Sequence, residues 1–330
     1  MASQLQLFHG LADPTRLRIV ALLRAMELAI GELATVLEQS QPRVSRHVRI
    51  LVDAGLVVRQ REGGWVFLRL ASSDAVDALL VLIDRWPSSA ADQAVMARDR
   101  TGLEAVREER AAAARRFFAD HAAEWDAIRA RHVAEAEVEA ALLRLVKDRP
   151  LGHLLDVGTG TGRMAEIFSP LAREITALDR SPEMLRIARA KLADRGITVD
   201  LVQGDFAALP LAPQSVDTIV MHQVLHFAHE PARAIAEAAR VLRPGGRLLI
   251  VDFAPHDQED LRTCAAHARL GFAEAQMRGW LVQSGLELAT VQSLAGDPLT
   301  ITIWLAQRRG DADTGNMGDT HAETAKRMAA

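Results

Sequence analysis

The residues with the clearest chemistry form a glycine-rich turn, LLDVGTGTGR, at residues 154–163. Its glycines are Gly158, Gly160 and Gly162, and glycine permits positive φ angles and a close approach of backbone to ligand. A helix that follows the turn directs its N-terminal amides and its dipole at the bound group. The turn therefore predicts a cradle for a nucleotide-like cofactor. A weaker match to the nicotinamide-dinucleotide fingerprint, Gly160-x-Gly162-x-x-Ala165, leaves that class of cofactor open.

Three further features favour S-adenosylmethionine. Asp156 precedes the first glycine by two residues, near the expected place of that ligand's ammonium group. Asp179 ends the second predicted strand, where it can accept hydrogen bonds from both ribose hydroxyls. Gly204-Asp205-Phe206 ends the third strand, so a carboxylate can accept from the adenine amino group and an aromatic ring can pack against the base. The alternative is that Asp179 and Asp205 only cap helices and that Phe206 belongs to the core.

Taken together, these residues resemble the class I S-adenosylmethionine-dependent methyltransferases, over about residues 114–309. VLRPGGRLLIVDF (241–253) is similar to that family's turn into its fifth strand. The resemblance implies that S-adenosylmethionine or its product, S-adenosylhomocysteine, binds here. It also implies that Trp125 lies on a helix that covers the cofactor, although Trp125 fits a core position equally well. Arg180, at the end of the second strand, and His222, at the end of the fourth, complete the predicted contacts.

Polar residues after the fourth and fifth strands are candidates for catalysis. In this fold, that edge of the sheet faces the sulfonium of the cofactor. One interpretation is a general base, or a pocket for a substrate or a metal. The plainer interpretation is polar lining and helix capping. The predicted catalytic residues are His222, His226, Asp252 and His256.

Several reaction classes are disfavoured. His222-Gln223-Val224-Leu225 stands where enzymes that methylate amino groups of DNA carry an Asn/Asp-Pro-Pro-aromatic motif. No Pro-Cys pair offers a nucleophile for cytosine C5. Cys264, the single cysteine, cannot supply the thiolates that arsenic methylation needs. No metal site is predicted.

A second group of polar residues lies upstream, in the segment QPRVSRHVRILVDAG that follows Ser40, the expected N-cap of a helix. Val44, Val48 and Leu51 are spaced to form its buried face. Arginines near the start of such a helix can reach guanine edges or phosphates, and a predicted hairpin after it can lie on the DNA backbone as a wing. The alternative is an ordinary solvated helix face. The predicted DNA contacts are Gln41, Arg43, Ser45, Arg46, His47, Arg49, Arg59 and Arg61.

Residues 4–71 resemble the ArsR family of winged-helix repressors. The resemblance implies binding to double-stranded operator DNA and a homodimer in which the first and last helices of the domain pair. Many relatives sense metals through cysteines on the helix equivalent to 30–39, but IGELATVLEQ has neither cysteine nor histidine, and the helix at 74–86 has no histidine. We therefore reject metal sensing. The residues suited to pairing are Leu5, Leu7, Phe8, Val76, Leu79, Leu80 and Ile83.

The helix before this motif, within LADPTRLRIVALLRA, has a recognisable start. Asp13 is the expected N-cap, and Pro14 takes the first helical position. The helical period predicts that Leu17, Val20 and Ala21 face inward.

The organisation that positions both groups of residues is an α/β chain of four regions. We predict a winged helix-turn-helix domain for DNA binding and dimerisation (1–86), a helical linker and cofactor lid (87–150), a methyltransferase-like domain (151–309) and a disordered tail (310–330). The third region is expected to be doubly wound and Rossmann-like, with a mostly parallel seven-stranded sheet and a terminal antiparallel strand. Its first five predicted strands are 154–158, 175–179, 199–205, 217–222 and 247–253.

These patterns predict a cytoplasmic transcription regulator with S-adenosylmethionine or S-adenosylhomocysteine as its effector. The fused architecture resembles regulators of methionine and methyl-cycle genes. An active small-molecule methyltransferase with an autoregulatory winged helix is the alternative, and a nicotinamide-linked redox sensor is a third.

A net charge of −4 requires any DNA binding to come from a local patch. The sequence contains no run of eighteen apolar residues, so no membrane span is predicted. The N-terminus lacks the pattern of a secretion signal, so none is predicted.

Overall fold

The computed structural model describes residues 2–62, 65–71, 73–85, 87, 89–122, 135–296 and 298–310. Trp125, the tip of the predicted hairpin and residues 311–330 of the predicted tail lie outside these ranges, as does the side chain of Arg61. The chain divides into two compact units. One comprises the residues up to Ala114 together with Asp257–Cys264, and the other comprises Arg115–His256 and the residues from Ala265 onward.

The first unit is built from short helices and a small antiparallel sheet. Its helices are α1 (Ala2–Leu11), α2 (Pro14–Ala25), α3 (Ile30–Leu37), α4 (Gln41–Asp53) and α5 (Asp74–Asp84). Its strands are β1 (Leu28–Ala29), β2 (Val57–Glu62) and β3 (Trp65–Leu70). Strand β3 pairs antiparallel with β1 on one side and β2 on the other, which gives the predicted hairpin.

Helix α2 begins as predicted. The Asp13 carboxylate accepts hydrogen bonds from the backbone N–H groups of Thr15 at 2.8 Å and Arg16 at 3.1 Å. This satisfies two of the amides that a helix start leaves without an intrahelical partner. Pro14, the first helical residue, has no N–H to satisfy.

The buried face of α2 differs from the predicted one. Val20 is buried as expected, but Leu17 and Ala21 are exposed, so the prediction for these two residues was wrong. The apolar residues of α2 cover more than one face, and burial follows the larger side chains on the C-terminal half. The core residues there are Ile19, Val20, Leu22 and Leu23.

Helix α4 has the predicted inner face, because Val44, Val48 and Leu51 are all fully buried. Ser40 occupies the N-cap position, but its side chain makes no capping hydrogen bond. Gly55 follows the helix with a φ of 73°, a left-handed conformation that glycine adopts without a steric cost. The core therefore fixes which side of α4 faces solvent.

The apolar residues of helix α5 that were predicted to suit dimer pairing lie in or against the core of their own unit. Val76 and Leu79 are buried in the core of their own unit, and Leu80 and Ile83 pack against that core. Val76 and Leu79 therefore complete this core instead of facing outward, and pairing of the first and last helices in a homodimer remains a prediction. Leu7 also packs against the core. Leu5 and Phe8 of α1 and Val81 and Leu82 of α5 are the exposed apolar side chains.

The long helix α6 (Ala90–His121) extends the first unit past the predicted boundary at residue 86. Leu103 and Val106 are buried in the same core as the winged-helix residues. Arg18 of α2 donates two hydrogen bonds to the Asp99 carboxylate, at 2.8 and 2.5 Å. Helix α5 ends at Asp84, before the predicted break at Pro87, and the same core continues with residues of α6.

The second unit contains the predicted seven-stranded sheet. Its strand order is β6-β5-β4-β7-β8-β10-β9. Strands β4 to β8 pair in parallel, and β10 runs antiparallel to both β8 and β9, as expected. The strands are β4 (His153–Val157), β5 (Glu174–Asp179), β6 (Asp200–Gln203), β7 (Val216–His222), β8 (Leu242–Phe253), β9 (Leu286–Leu294) and β10 (Ile301–Arg308).

Helices cover this sheet, and the chain reverses its direction of winding between β4 and β7. In open parallel sheets, ligands bind beyond the carboxyl ends of the strands at such a switch point. The turn after β4 lies there. The helices of this unit are α7 (Glu135–Val146), α8 (Arg163–Phe168), α9 (Pro182–Asp194), α10 (Pro231–Val241) and α12 (Glu274–Gln283). The short helix α11 (Asp260–Cys264) belongs to the first unit.

No helix in the described ranges has both the length and the apolar character needed to cross a bilayer.

Candidate cofactor and DNA-binding sites

The glycine turn requires glycine for two separate reasons. Gly158, Gly160 and Gly162 have φ angles of 71°, 55° and 88°, in the left-handed region that side chains disfavour. At Gly158 a Cβ atom would also lie 2.3 Å from Cγ2 of Val224. The backbone N–H groups of Gly158 and Thr159 donate to the carbonyl of Leu178, at 2.7 and 2.9 Å. The turn is therefore held tightly against the end of β5.

Asp179 fixes the middle of this turn. Its two carboxylate oxygens accept from the backbone N–H of Gly160 and from that of Ser181, each at 2.8 Å. Burial raises the pKa of the Asp179 carboxyl, and these two amide donors oppose the rise. Ser181, not Asp179, is the N-cap of the following helix α9, so Asp179 does not make the helix cap of the plainer interpretation. It lies at the strand end where ribose hydroxyls were predicted. Contact with a ribose remains a prediction.

The other predicted carboxylates lie at the ends of neighbouring strands. Asp156 is buried near the end of β4, and the hydroxyl of Thr159 donates to it at 2.6 Å. Asp205, after β6, accepts from the backbone N–H of Ala207 at 2.8 Å, and its second oxygen lies 3.8 Å from Arg180 Nη1. Strands β4, β5 and β6 are adjacent, so Asp156, Asp179 and Asp205 share one edge of the sheet.

This edge suits the chemistry of S-adenosylmethionine. That molecule presents an ammonium, two ribose hydroxyls and an adenine amino group, all of them donors that carboxylates accept. Phe206 is partly buried and packs against the core beside Asp205, so it satisfies the core interpretation and still borders the predicted adenine position. The site residues are compatible with the cofactor class, and their individual contacts remain predictions.

His226 and Asp252 form a buried hydrogen-bonded pair. His226 Nδ1 lies 2.8 Å from Asp252 Oδ1, and Asp252 Oδ2 accepts the backbone N–H of His226 at 3.1 Å. Only 2% of His226 and none of Asp252 is exposed. The carboxylate favours the imidazole tautomer with its proton on Nδ1, which leaves Nε2 as the basic nitrogen. The pair has the chemistry of an oriented general base.

His256 and His222 have less enclosed positions. His256 is partly buried, its backbone N–H donates to the carbonyl of Leu270 at 3.1 Å, and its ring meets Phe253 edge-on at 5.8 Å. His222 is partly buried at the end of β7. The structure thus gathers His226, Asp252 and His256 around Phe253, and their catalytic roles remain predictions.

His267, which the sequence did not predict as a site residue, packs against His226. Its ring lies 4.1 Å from that of His226 and stacks on Phe253 at 5.6 Å, with 7% of the residue exposed. The next two backbone N–H groups, of Ala268 and Arg269, donate to the His226 carbonyl at 3.0 and 2.9 Å. This loop has no helical or strand periodicity, so only the tertiary fold reveals the contact.

An ion pair that the sequence did not predict lies next to the glycine turn. Arg163, the first residue of α8, donates from Nε and Nη2 to the two carboxylate oxygens of Glu139 on α7, each at 2.7 Å. Gly162 is the N-cap of α8. A two-point contact of this kind fixes both groups in one geometry. Helix α7, in the predicted linker, is thereby joined to the residue after the cofactor turn.

The predicted DNA surface is largely exposed in the first unit. Gln41, Arg43, Arg46 and Arg49 are exposed on α4, and Arg59 is exposed on β2. Ser45 is partly buried. His47 has a 14% exposed side chain, and its Nδ1 lies 3.6 Å from Asp13 Oδ1 at the start of α2. His47 therefore lies nearer the helix junction than the arginine face. DNA contact by all these residues remains a prediction.

Within the described ranges, no group of three or more His, Cys, Asp or Glu side chains has the arrangement of a metal site.

Comparison with known proteins matches two separate stretches. Residues 13–58 match the bacterial regulatory proteins of the arsR family, and residues 155–250 match a methyltransferase domain family. The arsenical resistance operon repressor of Escherichia coli K12 is 42% identical over 83 residues, which cover 25% of this chain and 71% of the repressor.

The second stretch is similar to part of several methyltransferases. The demethylmenaquinone methyltransferase of Renibacterium salmoninarum is 36% identical over 114 residues, 33% of this chain and 46% of that enzyme. This chain therefore spans less than half the length of that relative. The crystal structure of the YcgJ protein from Bacillus subtilis is similar over 53% of this chain and 99% of that chain, with 19% identity and a TM-score of 0.46.

Proposed function

Because this chain belongs to the arsR family of bacterial regulatory proteins and also carries a methyltransferase domain, both as the sequence predicted, we propose that it is a ligand-responsive transcription regulator. In this proposal the methyltransferase domain binds S-adenosylmethionine or S-adenosylhomocysteine, and its occupancy changes the affinity of the winged helix for operator DNA. Such coupling requires that the ligand bind the DNA-competent and DNA-free conformations with different affinity.

The observation that carries the proposal is the Glu139–Arg163 pair. Arg163 directly follows the last glycine of the cofactor turn, so a ligand bound against this turn would also constrain the guanidinium. The constraint passes to helix α7 through two hydrogen bonds of 2.7 Å. Arg247 holds the far end of α7, with Nη1 2.6 Å from Asp148 and Nη2 bonded to the carbonyl of Arg149 at 2.8 Å. Helix α7 is thus fastened near both ends to the cofactor-binding unit.

The proposal also states which genes the protein controls and how its subunits associate. We propose control of methionine and methyl-cycle genes, on the resemblance of the fused architecture to such regulators. We also propose a homodimer through the first unit. The residues that support pairing are the exposed apolar side chains of α1 and α5, Leu5, Phe8, Val81 and Leu82.

Removing the Glu139 charge tests the coupling. In Glu139→Gln the charge-assisted contact to Arg163 is lost, so the effect of the ligand on DNA affinity should fall from about fivefold to below about 1.5-fold. Affinity for the ligand itself should stay within about threefold. The measurement is fluorescence anisotropy of labelled upstream DNA with and without saturating ligand, and calorimetry gives ligand affinity. Glu137→Gln, an exposed acid on the same helix, is the matched control and should behave as wild type. A full ligand effect in Glu139→Gln contradicts this route.

A second candidate function is methyl transfer to a small molecule, and the buried His226–Asp252 pair favours it. A carboxylate that holds the imidazole proton on Nδ1 leaves Nε2 with its lone pair, the atom that would take a proton from an acceptor hydroxyl. The rings of His267, Phe253 and Phe227 surround the His226 ring at 4.0 to 5.0 Å between centroids, so the imidazole is held in one orientation. The named activity of the relative, demethylmenaquinone methylation, points to a hydroquinone as the first acceptor to try.

Single-turnover transfer of a radiolabelled methyl group to a soluble hydroquinone tests this second function. If the pair acts as the base, Asp252→Asn should slow transfer by about 100-fold, since the imidazole loses its orienting charge. Binding of S-adenosylhomocysteine should be unchanged, because Asp252 lies outside the predicted cofactor contacts. Asp257→Asn, an exposed acid five residues later, is the control. Equal rates in the wild type and Asp252→Asn would exclude a catalytic role for the pair.

A further inference from the structure

The first unit contains a cavity that the proposed function does not use. Its volume is about 850 Å³, within the range of small-molecule sites. Helix α3, the start of α4, strand β3 and helix α6 line it, it opens to solvent, and all its lining residues belong to the first unit. The walls combine apolar side chains with a few polar groups. The residues used below are Ile30, Val66, Val106, Thr35, Gln41 and Arg110.

Arg110 is the polar group with unused bonding capacity. Its side chain is nine-tenths buried, and it pairs with Glu32, whose Oε1 lies 2.7 Å from Arg110 Nε and whose Oε2 accepts from Nη2. Glu32 Oε2 also accepts the backbone N–H of Ala29, at 2.7 Å. Arg110 Nη1 is buried, and among the described residues it has no hydrogen-bond acceptor. A guanidinium has five N–H donors, and a buried donor without an acceptor is destabilising.

The rest of the lining determines what can satisfy this donor. Ile30, Val66 and Val106 supply apolar wall, so the occupant must bring apolar surface as well as an acceptor. Glu109 also lines the cavity, but it is exposed, and water and salt screen its charge. Glu32 lines the cavity too, and its carboxylate pairs with the Arg110 charge. Arg110 therefore offers an occupant its unused buried Nη1 donor, to which an anionic oxygen is the strongest acceptor.

We propose that this cavity is a second ligand site, for a small organic anion with an aromatic or alicyclic body and a carboxylate or sulfonate group. The anionic group accepts from Arg110 Nη1, and the body packs against the apolar wall. The ligand would also meet the DNA-reading helix. Gln41 is the first residue of α4, and a Cβ added at Gly31 would lie 3.0 Å from its Nε2, so the amide of Gln41 lies over helix α3 at the cavity.

Two dyes that differ in charge test the assignment on the full-length protein. 8-Anilinonaphthalene-1-sulfonate carries the anionic group, and N-phenyl-1-naphthylamine has the same ring system without it. Fluorescence titration should show that Arg110→Gln weakens binding of the sulfonate by about tenfold and leaves the uncharged dye within about twofold. Arg107→Gln, one turn earlier on α6, is the matched control and should bind both dyes as wild type. Arg107 is bonded to the Ala25 carbonyl and does not line the cavity.

Thr35→Trp is a second variant that leaves the Glu32–Arg110 pair in place. Thr35 is exposed at the cavity, so an indole there should obstruct part of the space and weaken both dyes by about fivefold or more while circular dichroism stays native. Wild-type affinity for the sulfonate in both variants would overturn the proposal, as would the absence of sulfonate binding to the wild type. Equal loss of both dyes in Arg110→Gln would overturn the assignment of the anionic group to Arg110.

Discussion

Replacing Asp179 by alanine is expected to weaken binding of S-adenosylmethionine and S-adenosylhomocysteine by about 100-fold, which corresponds to about 2.7 kcal/mol. Two effects add. The predicted acceptor for the ribose hydroxyls is lost, and the backbone amides of Gly160 and Ser181 lose the carboxylate that holds them at 2.8 Å. The glycine turn then loses one of its fixed points, so ordering it on ligand binding costs additional free energy.

Isothermal titration calorimetry measures this loss directly. Asp200→Ala is the matched control, because Asp200 is exposed at the first residue of the neighbouring strand β6, away from the carboxyl edge. It should bind both ligands like the wild type. Unchanged affinity in Asp179→Ala would mean that the cofactor does not use the end of β5, and the assignment of this edge would fail.

The double replacement of Arg46 and Arg49 by alanine is expected to lower affinity for operator DNA by about 30-fold at physiological salt. Both side chains are exposed on α4, whose opposite face is fixed in the core by Val44, Val48 and Leu51. Each arginine that contacts a phosphate releases condensed counterions, so the slope of log K against log salt should decrease by about 2.

Anisotropy at several salt concentrations measures both quantities. Arg100→Ala is the control, because Arg100 is exposed on α6, outside the predicted DNA surface. Its affinity and salt slope should match those of the wild type. A double variant with the wild-type salt slope would show that these arginines form the ordinary solvated face of the alternative interpretation.

The parts of the fold that the sequence predicted are those with strong local signals. The Asp13-Pro14 helix start, the buried stripe of α4 and the strands that end at Asp179 and near Asp205 are visible in residue spacing alone. The topology of the sheet followed from the resemblance to methyltransferases. In these cases local preference and tertiary packing agree, so the sequence pattern is enough to predict the element and its buried face.

The errors arise where one helix carries more apolar residues than a single face can bury. On α2, Leu17 and Ala21 fit the helical period, but Leu22 and Leu23 lie in the core. On α5, Val76 looked like a pairing residue and instead completes the core of its own unit. Periodicity identifies an apolar face, and it does not say which neighbour will cover that face.

Contacts between distant residues had no sequence signal at all. Glu139 and Arg163 are separated by 24 residues, and Glu32 and Arg110 by 78. His226 and Asp252 were both predicted, 26 residues apart, but their hydrogen bond was not. Such pairs depend on how elements pack, and single charged residues are too frequent for their partners to be inferred from spacing.

In the proposed function, the ligand of the second unit controls the affinity of the first unit for DNA. The most direct measurement is anisotropy of the full-length protein on its own upstream DNA, titrated separately with S-adenosylmethionine, S-adenosylhomocysteine and, as a control, NADH. We expect one of the two adenosyl ligands to shift the dissociation constant of the protein–DNA complex by about fivefold or more, and NADH to leave it unchanged. Calorimetric binding of both adenosyl ligands with an unchanged DNA isotherm would contradict the proposed function.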